Sequence, residues 1–187
     1  MKHIFSSSFY LLFSLPNKKE VFETITDPKY IDKELSSTVR WNEGCDVKVD
    51  GLYADKVGYL LAPSIKLFSQ HIHSKKSLGL LGIWKNTYNK GGFQEIHDHV
   101  DYHTHVSGCI FLEDQIKDSS KFYFFNRHSL ELTIWKEVMD HEIYPTSYYP
   151  NPKAGDIIFF PSHLLHGVTP HKLRKPRTTI SFNLKFT

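Results

Sequence analysis

Histidine supplies 12 of the 187 residues, and most of them fall in two short windows. His97, His99, His103 and His105 form the first, and His163, His166 and His171 form the second. The first window reads Gln94-Glu95-Ile96-His97-Asp98-His99-Val100-Asp101-Tyr102-His103-Thr104-His105. In a strand, residues i and i+2 face the same side. His97, His99 and Asp101 then share one face if Ile96 and Val100 take the other. Imidazole and carboxylate at this spacing can hold one divalent metal, as when two His and one carboxylate form a facial set. Such a set needs a ligand from a distant strand and leaves positions open. His166, inside the apolar run Leu164–Val168, is the candidate. His163 follows Pro161 in a turn and is expected at the surface.

An arginine adds a second chemistry. A hairpin centred between His171 and Lys172 pairs position 166 with 177, and paired residues face the same side of a sheet. Arg177 is then expected in the cavity that His166 faces, with Thr179 two residues on. A buried arginine needs an anionic partner, and its planar fork suits a carboxylate. Lys172, Arg174 and Lys175 read as a solvated turn. Cys109 reads as core, and His103 and His105 receive no role.

These residues need a scaffold of strands. From Leu78 onward the chain breaks into short apolar runs: Leu78–Lys85, Phe93–Val100, Val106–Leu112, Lys121–Asn126, Leu130–Trp135, Asp156–Phe160, Leu164–Val168 and Arg177–Phe186. Turn residues separate them, among them Asn89-Lys90-Gly91-Gly92. About eight short strands at this spacing predict a sandwich or small barrel, with a two-sheet jelly roll foremost. Residues 1–76 read as a mixed, partly helical support. A helix is expected from Lys18 to Thr24, and an amphipathic one over Pro63–Ile72 with proline in its first turn. That helix should lie on the outer face of the jelly roll. The stretch Phe9–Phe13 is short and follows serines, which predicts a buried strand rather than a signal peptide. The segments Asp114–Ser120 and His141–Pro152 are candidates for a lid or rim.

Composition bounds the function. Hydrophobic residues make up 40% and charged residues 23%, so a wholly disordered chain is excluded. The chain is expected to form one domain, with 77–187 as the catalytic core. No apolar run approaches the ~20 residues of a membrane span. The net charge is +3 without a long basic block, so nucleic acid is not indicated. Two cysteines, Cys45 and Cys109, fit a reducing compartment and a cytoplasmic location. No feature specifies an oligomeric state.

The ordered set Asn86, Gly91-Gly92, His97-Asp98-His99, Ser107-Gly108-Cys109-Ile110-Phe111, Gly155–Ser162, His166 and Arg177–Asn183 resembles the Fe(II)/2-oxoglutarate-dependent oxygenases. It is most similar to a branch of small bacterial and phage members, over about residues 80 to 187. The resemblance implies a mainly β fold, the double-stranded β-helix (a jelly roll, cupin-like), with Fe(II) and 2-oxoglutarate as cofactors. It implies a dioxygenase that takes dioxygen and an unidentified substrate, hydroxylates the latter, and decarboxylates 2-oxoglutarate to succinate. Arg177 would hold the distal carboxylate of 2-oxoglutarate, and Thr179 stands where the wider family places a serine. Tyr88 could donate a hydrogen bond to 2-oxoglutarate or substrate. Counted from the glycine turn, the family's H-x-H lands on His97 and His99. Counted back from Ser107-Gly108, it lands on His99 and Asp101. His99 and His166 serve as ligands in both counts. The longer upstream match favours His97 as the third, with Asp101 the alternative.

Three rival readings use the same residues. His97-Asp98-His99-Val100-Asp101 begins like the H-x-H-x-D-H of metallo-β-lactamase-like zinc hydrolases, but Tyr102 stands where that motif needs histidine. A non-enzymatic cupin-like or structural metal-binding jelly roll would explain the strands and not Arg177. A cupin-type dioxygenase with three His would work without 2-oxoglutarate.

Overall fold

The computed structural model describes residues 8–40, 46–127 and 146–187. Two antiparallel sheets carry the fold. The larger is built from β1 (Leu11–Ser14), β2 (Ile31–Arg40), β3 (Asp46–Leu52), β4 (Leu78–Tyr88), β6 (Val106–Phe111), β9 (Asp156–Pro161) and β11 (Arg177–Phe186). Its spatial order is β1-β9-β6-β11-β4-β3-β2. The smaller joins β5 (Gln94–His97), β7 (Phe122–Phe125), β8 (Ser147–Tyr148) and β10 (His166–Val168) in the order β5-β10-β7-β8.

Alternation along the strands of the large sheet divides the interior in two. On β11, Ile180, Phe182 and Leu184 join one apolar cluster, while Arg177, Thr179, Ser181 and Asn183 line a cavity on the other face. On β9, Ile157 and Phe159 belong to the first cluster, and Ile158 and Phe160 to the second. A strand buried on both faces reads as a continuous apolar run, as Asp156–Phe160 does. The second cluster takes Phe122, Phe124 and Val168 from the small sheet, so it fills the space between the sheets.

Helices close the outer face. α1 (Lys18–Ile25) buries Val21 and Ile25. The four-residue helix α2 (Ala54–Val57) leads towards α3 (Ala62–His71), which has proline in its first turn. Phe68 of α3 stacks on Phe159 with ring centroids 4.8 Å apart. The outer-face placement expected of this helix is what the structure shows.

The N-terminal region departs from expectation. β1 is an edge strand paired with β9, and Phe9 and Leu12 are substantially exposed, so the buried strand expected over Phe9–Phe13 is half-solvated. Ile31–Arg40 and Asp46–Leu52 form two unforeseen strands that extend the large sheet beyond β4. Polar residues hide the pattern: Lys48 of β3 and Lys85 of β4 both pair with the buried Asp50 of β3, at 3.0 and 3.3 Å. The run Leu130–Trp135 lies outside the described residues.

Close approach within the large sheet fixes one glycine. A Cβ on Gly108 would lie 2.2 Å from the Phe182 ring and 2.6 Å from the Ile158 carbonyl oxygen. The turn before β5 uses Gly91 with φ 91°, a conformation glycine adopts without strain.

Candidate metal and carboxylate site

His97 ends β5 and stands directly opposite His166 of β10. Their ring centroids are 4.4 Å apart, and that of His99 lies 5.3 Å from His97 and 5.1 Å from His166. One ligand nitrogen from each ring falls within 4.8 Å of the others. Two of the rings are oriented through backbone carbonyls. Nδ1 of His97 lies 2.7 Å from the Glu95 carbonyl oxygen, and Nδ1 of His166 lies 2.9 Å from that of Leu164. A carbonyl only accepts, so Nδ1 carries the proton and Nε2 is the unprotonated nitrogen of each neutral ring. Fixing the tautomer in this way is how proteins aim a metal-binding imidazole. His99 follows the strand, held by its backbone N–H on the Ser162 carbonyl at 2.9 Å. The Asn183 side chain reaches its Nδ1 at 3.4 Å, and Ser107 donates to Asn183 Oδ1 at 2.8 Å.

Burial keeps the three rings neutral. Desolvation lowers the pKa of His97, brings His99 to about 4 with help from neighbouring His97, and holds His166 well below its ordinary value. A metal binds the neutral imidazole, so the cluster needs no deprotonation at pH 7.

Asp101 is not brought into this group. β5 stops at His97, so the alternation that put position 101 on the same face ends there. Its carboxylate instead accepts the backbone N–H groups of His103 and Thr104 and the Thr104 hydroxyl, which lowers its pKa. His103, His105 and His163 are exposed, as are Lys172, Arg174 and Lys175.

Arg177 reaches the cavity by a different route from the one expected. It pairs with Tyr88 of β4, and His166 pairs with His97 and Phe124 in the other sheet. No hairpin joins 166 to 177. The two residues line one cavity because the sheets face each other across it. The guanidinium is 1% exposed and lies between the rings of Tyr88 and Phe111, with its Cζ 5.7 and 5.9 Å from their centroids. Nη1 donates to Ser120 Oγ at 3.2 Å. Nε and Nη2, which form one edge of the fork, have no hydrogen-bond partner. Buried donors of this kind are costly unless something accepts from them. The geometry fits a planar carboxylate taken edge to edge.

Around it, Thr179 is 2% exposed and faces the same cavity. The Tyr88 hydroxyl donates to Gln94 Oε1 at 2.8 Å, and burial raises its pKa. Cys109 is buried and its thiol pKa is pushed up to about 11 by desolvation, which suits core packing. Two contributors escape sequence reasoning. Trp84, its ring 6.0 Å from that of His99, reads as one more apolar strand residue, and Ser120 reads as part of a polar loop. The 114–120 segment, a candidate lid, supplies a partner for the arginine.

Comparison with known proteins places the chain in a family. The family model described as "Putative 2OG-Fe(II) oxygenase" matches residues 82–183, more than half of the sequence. The chain belongs to the 2OG-Fe(II) oxygenases, enzymes that use Fe(II) and 2-oxoglutarate as cofactors and act with dioxygen on a further substrate. No curated protein matches it. Solved structures match its fold. HygX from Streptomyces hygroscopicus, with nickel and 2-oxoglutarate bound, aligns over 96% of this chain and 83% of its own at 16% identity, with a TM-score of 0.65. An oxidoreductase of the 2OG-Fe(II) oxygenase family from Burkholderia pseudomallei aligns over 94% and 85% at 14% identity, TM-score 0.69. A prolyl-4-hydroxylase from Pseudomonas putida aligns over 96% and 93% at 15% identity, TM-score 0.63. At these identities the likeness is one of fold, the double-stranded β-helix. Among the described residues, no helix is long and apolar enough to cross a membrane.

Proposed function

We propose that His97, His99 and His166 hold the Fe(II), and that Arg177 holds the distal carboxylate of 2-oxoglutarate, in a dioxygenase that hydroxylates its substrate. The observation that carries this reading is the buried, partnerless Nε–Nη2 edge of Arg177 in the cavity that the three imidazoles share. When bound, iron and 2-oxoglutarate would activate dioxygen, with one oxygen atom passing to the substrate and the other to the succinate formed as 2-oxoglutarate loses CO2. The chain's own work is positional. The Glu95 and Leu164 carbonyls aim two imidazoles, and the Tyr88 and Phe111 rings pack near the guanidinium and help to exclude water from it. Thr179 stands one strand repeat from Arg177 on the same face, and its hydroxyl would serve the same carboxylate. Tyr88 acts through its ring, with its hydroxyl engaged by Gln94. Asp101 is the alternative ligand to His97, and its role in the turn argues for His97.

Anaerobic titration with Fe(II) and then 2-oxoglutarate tests the reading. A weak visible charge-transfer band should appear with both and vanish in Arg177→Ala. Tight zinc binding without such a band would overturn it. The expected single domain, with residues 1–76 supporting a core at 77–187, is favoured by the continuous sheet that β2 and β3 form with β4. A cytoplasmic location is favoured by the two cysteines, of which Cys109 is buried and free.

A further inference from the structure

His171 belongs to the second histidine window, yet it touches neither the metal cluster nor solvent. It is 2% exposed. Its Nδ1 accepts the backbone N–H of Ser120 at 3.1 Å, and its Nε2 donates to the Lys175 carbonyl at 2.7 Å. A donor on one nitrogen and an acceptor on the other fix a single neutral tautomer, with the proton on Nε2. Its backbone is tied as well: the carbonyl accepts from Gly91 N–H at 2.7 Å, and the N–H donates to the Gly92 carbonyl at 2.9 Å. One residue thus joins the glycine turn before β5, the 118–121 segment and the turn that leads into Arg177. Lys172 N–H on the Asp118 carbonyl at 3.0 Å reinforces the junction.

The consequence falls on Arg177. Ser120, which is fully buried, accepts a hydrogen bond from Nη1 at its hydroxyl oxygen. That bond, together with the Tyr88 and Phe111 rings, sets the rotation of the guanidinium about its stem and so the direction of the Nε–Nη2 edge. The position of Ser120 is in turn set by the imidazole behind it. We propose that His171 is a positioning residue for the 2-oxoglutarate carboxylate, acting through Ser120 on Arg177. The inference rests on the assignment of Arg177 proposed above. Supporting groups of this kind typically change affinity tenfold to a hundredfold when removed, with the contacting residue left in place.

The test is a series of variants read by anaerobic titration. Fe(II) is added first, then 2-oxoglutarate. His171→Leu keeps the bulk and loses both ring bonds. His171→Asn can return an acceptor near the Nδ1 position, whereas His171→Gln can return a donor near Nε2. The proposal expects the Kd for 2-oxoglutarate to rise about tenfold in His171→Leu and His171→Gln, and to recover most of that in His171→Asn. Fe(II) affinity should stay at the wild-type value throughout. Ser120→Ala removes only the hydroxyl and should raise the same Kd several-fold, which keeps the proposal testable if His171→Leu does not fold. Wild-type 2-oxoglutarate affinity in all four variants would overturn it, provided Arg177→Ala loses that affinity. Equal losses of iron and 2-oxoglutarate affinity in Asn, Gln and Leu alike would show a structural role only, and would also overturn it. Retention of affinity in Arg177→Ala would instead remove the reading on which it rests.

Discussion

The two ends of the cavity are built differently. The imidazoles stand on short elements: β5 has four residues, β10 has three, and His99 lies beyond the strand. The arginine stands on the ten-residue β11, hydrogen-bonded on both sides by β4 and β6. His97 and His99 are half-buried, while Arg177 is sealed. On the proposed assignment, the difference separates a reaction end that admits dioxygen and substrate from an anchoring end that keeps water away from a charge. Fine orientation at the first end comes from neighbouring carbonyls for His97 and His166 and from the Asn183 side chain for His99. At the second it comes from long strands and a loop junction.

The contrast can be broken at either end. Arg177→Ala should weaken 2-oxoglutarate binding by on the order of a hundredfold or more, the usual consequence of losing one side of a buried charge pair. Iron affinity should hardly change. His166→Ala should do the reverse and abolish stable iron binding, with both effects read from the same titration. The anchoring end also depends on close strand packing. Gly108→Ala drives a methyl group into Phe182 and should cost about 1–3 kcal/mol, read as a Tm lower by roughly 2–4 °C for each kcal/mol.

A pH series sharpens the comparison at the imidazole end. Histidines in the unfolded chain titrate near 6.5, and the folded values of His97, His99 and His166 are lower, with His99 at about 4. Between those values the unfolded chain binds more protons, so the stability of the metal-free protein rises with pH across that window. It should be level above about pH 6.5 and fall as pH drops towards about 4. Denaturant melts at several pH values should show this slope, reduced in His99→Gln. The smallest effect is expected at Asp101. Asp101→Asn should leave the Kd for Fe(II) at the wild-type value, whereas His97→Ala should raise it sharply. The opposite ranking would make Asp101 the ligand.

Much of this was legible in the residues after position 78. Period-two alternation in Arg177–Phe186 and the unbroken run Asp156–Phe160 announce strands buried on one or both sides, and both are found in place. The histidine windows announced the cluster. Alternation failed where the strand stopped, at His97, because a turn carries no parity, and Asp101 went with it. Arg177 was expected in the cavity through a hairpin that does not exist, since pairing across two facing sheets leaves no local mark. β2 was missed because its sequence Ile31–Arg40 is largely polar, and β3 because ion pairs centre on its buried Asp50. Ser120 could not be found, as a serine in a polar loop looks the same whether or not an arginine will reach it.

The opposition of His166 and His97 across neighbouring strands has an effect on assembly. If these residues bind iron, the metal fastens segments that are remote along the chain and that meet only after the small sheet has closed. An ion that binds the closed form alone draws the folding equilibrium towards it, by an amount that grows with the logarithm of its concentration. Iron supply would then set how long β5 and β10 stay protected from proteases, as well as whether the enzyme is active. Limited proteolysis with and without Fe(II) should give slower cleavage around residues 94–105 when the ion is present. Equal cleavage would mean that the small sheet closes by side-chain packing alone.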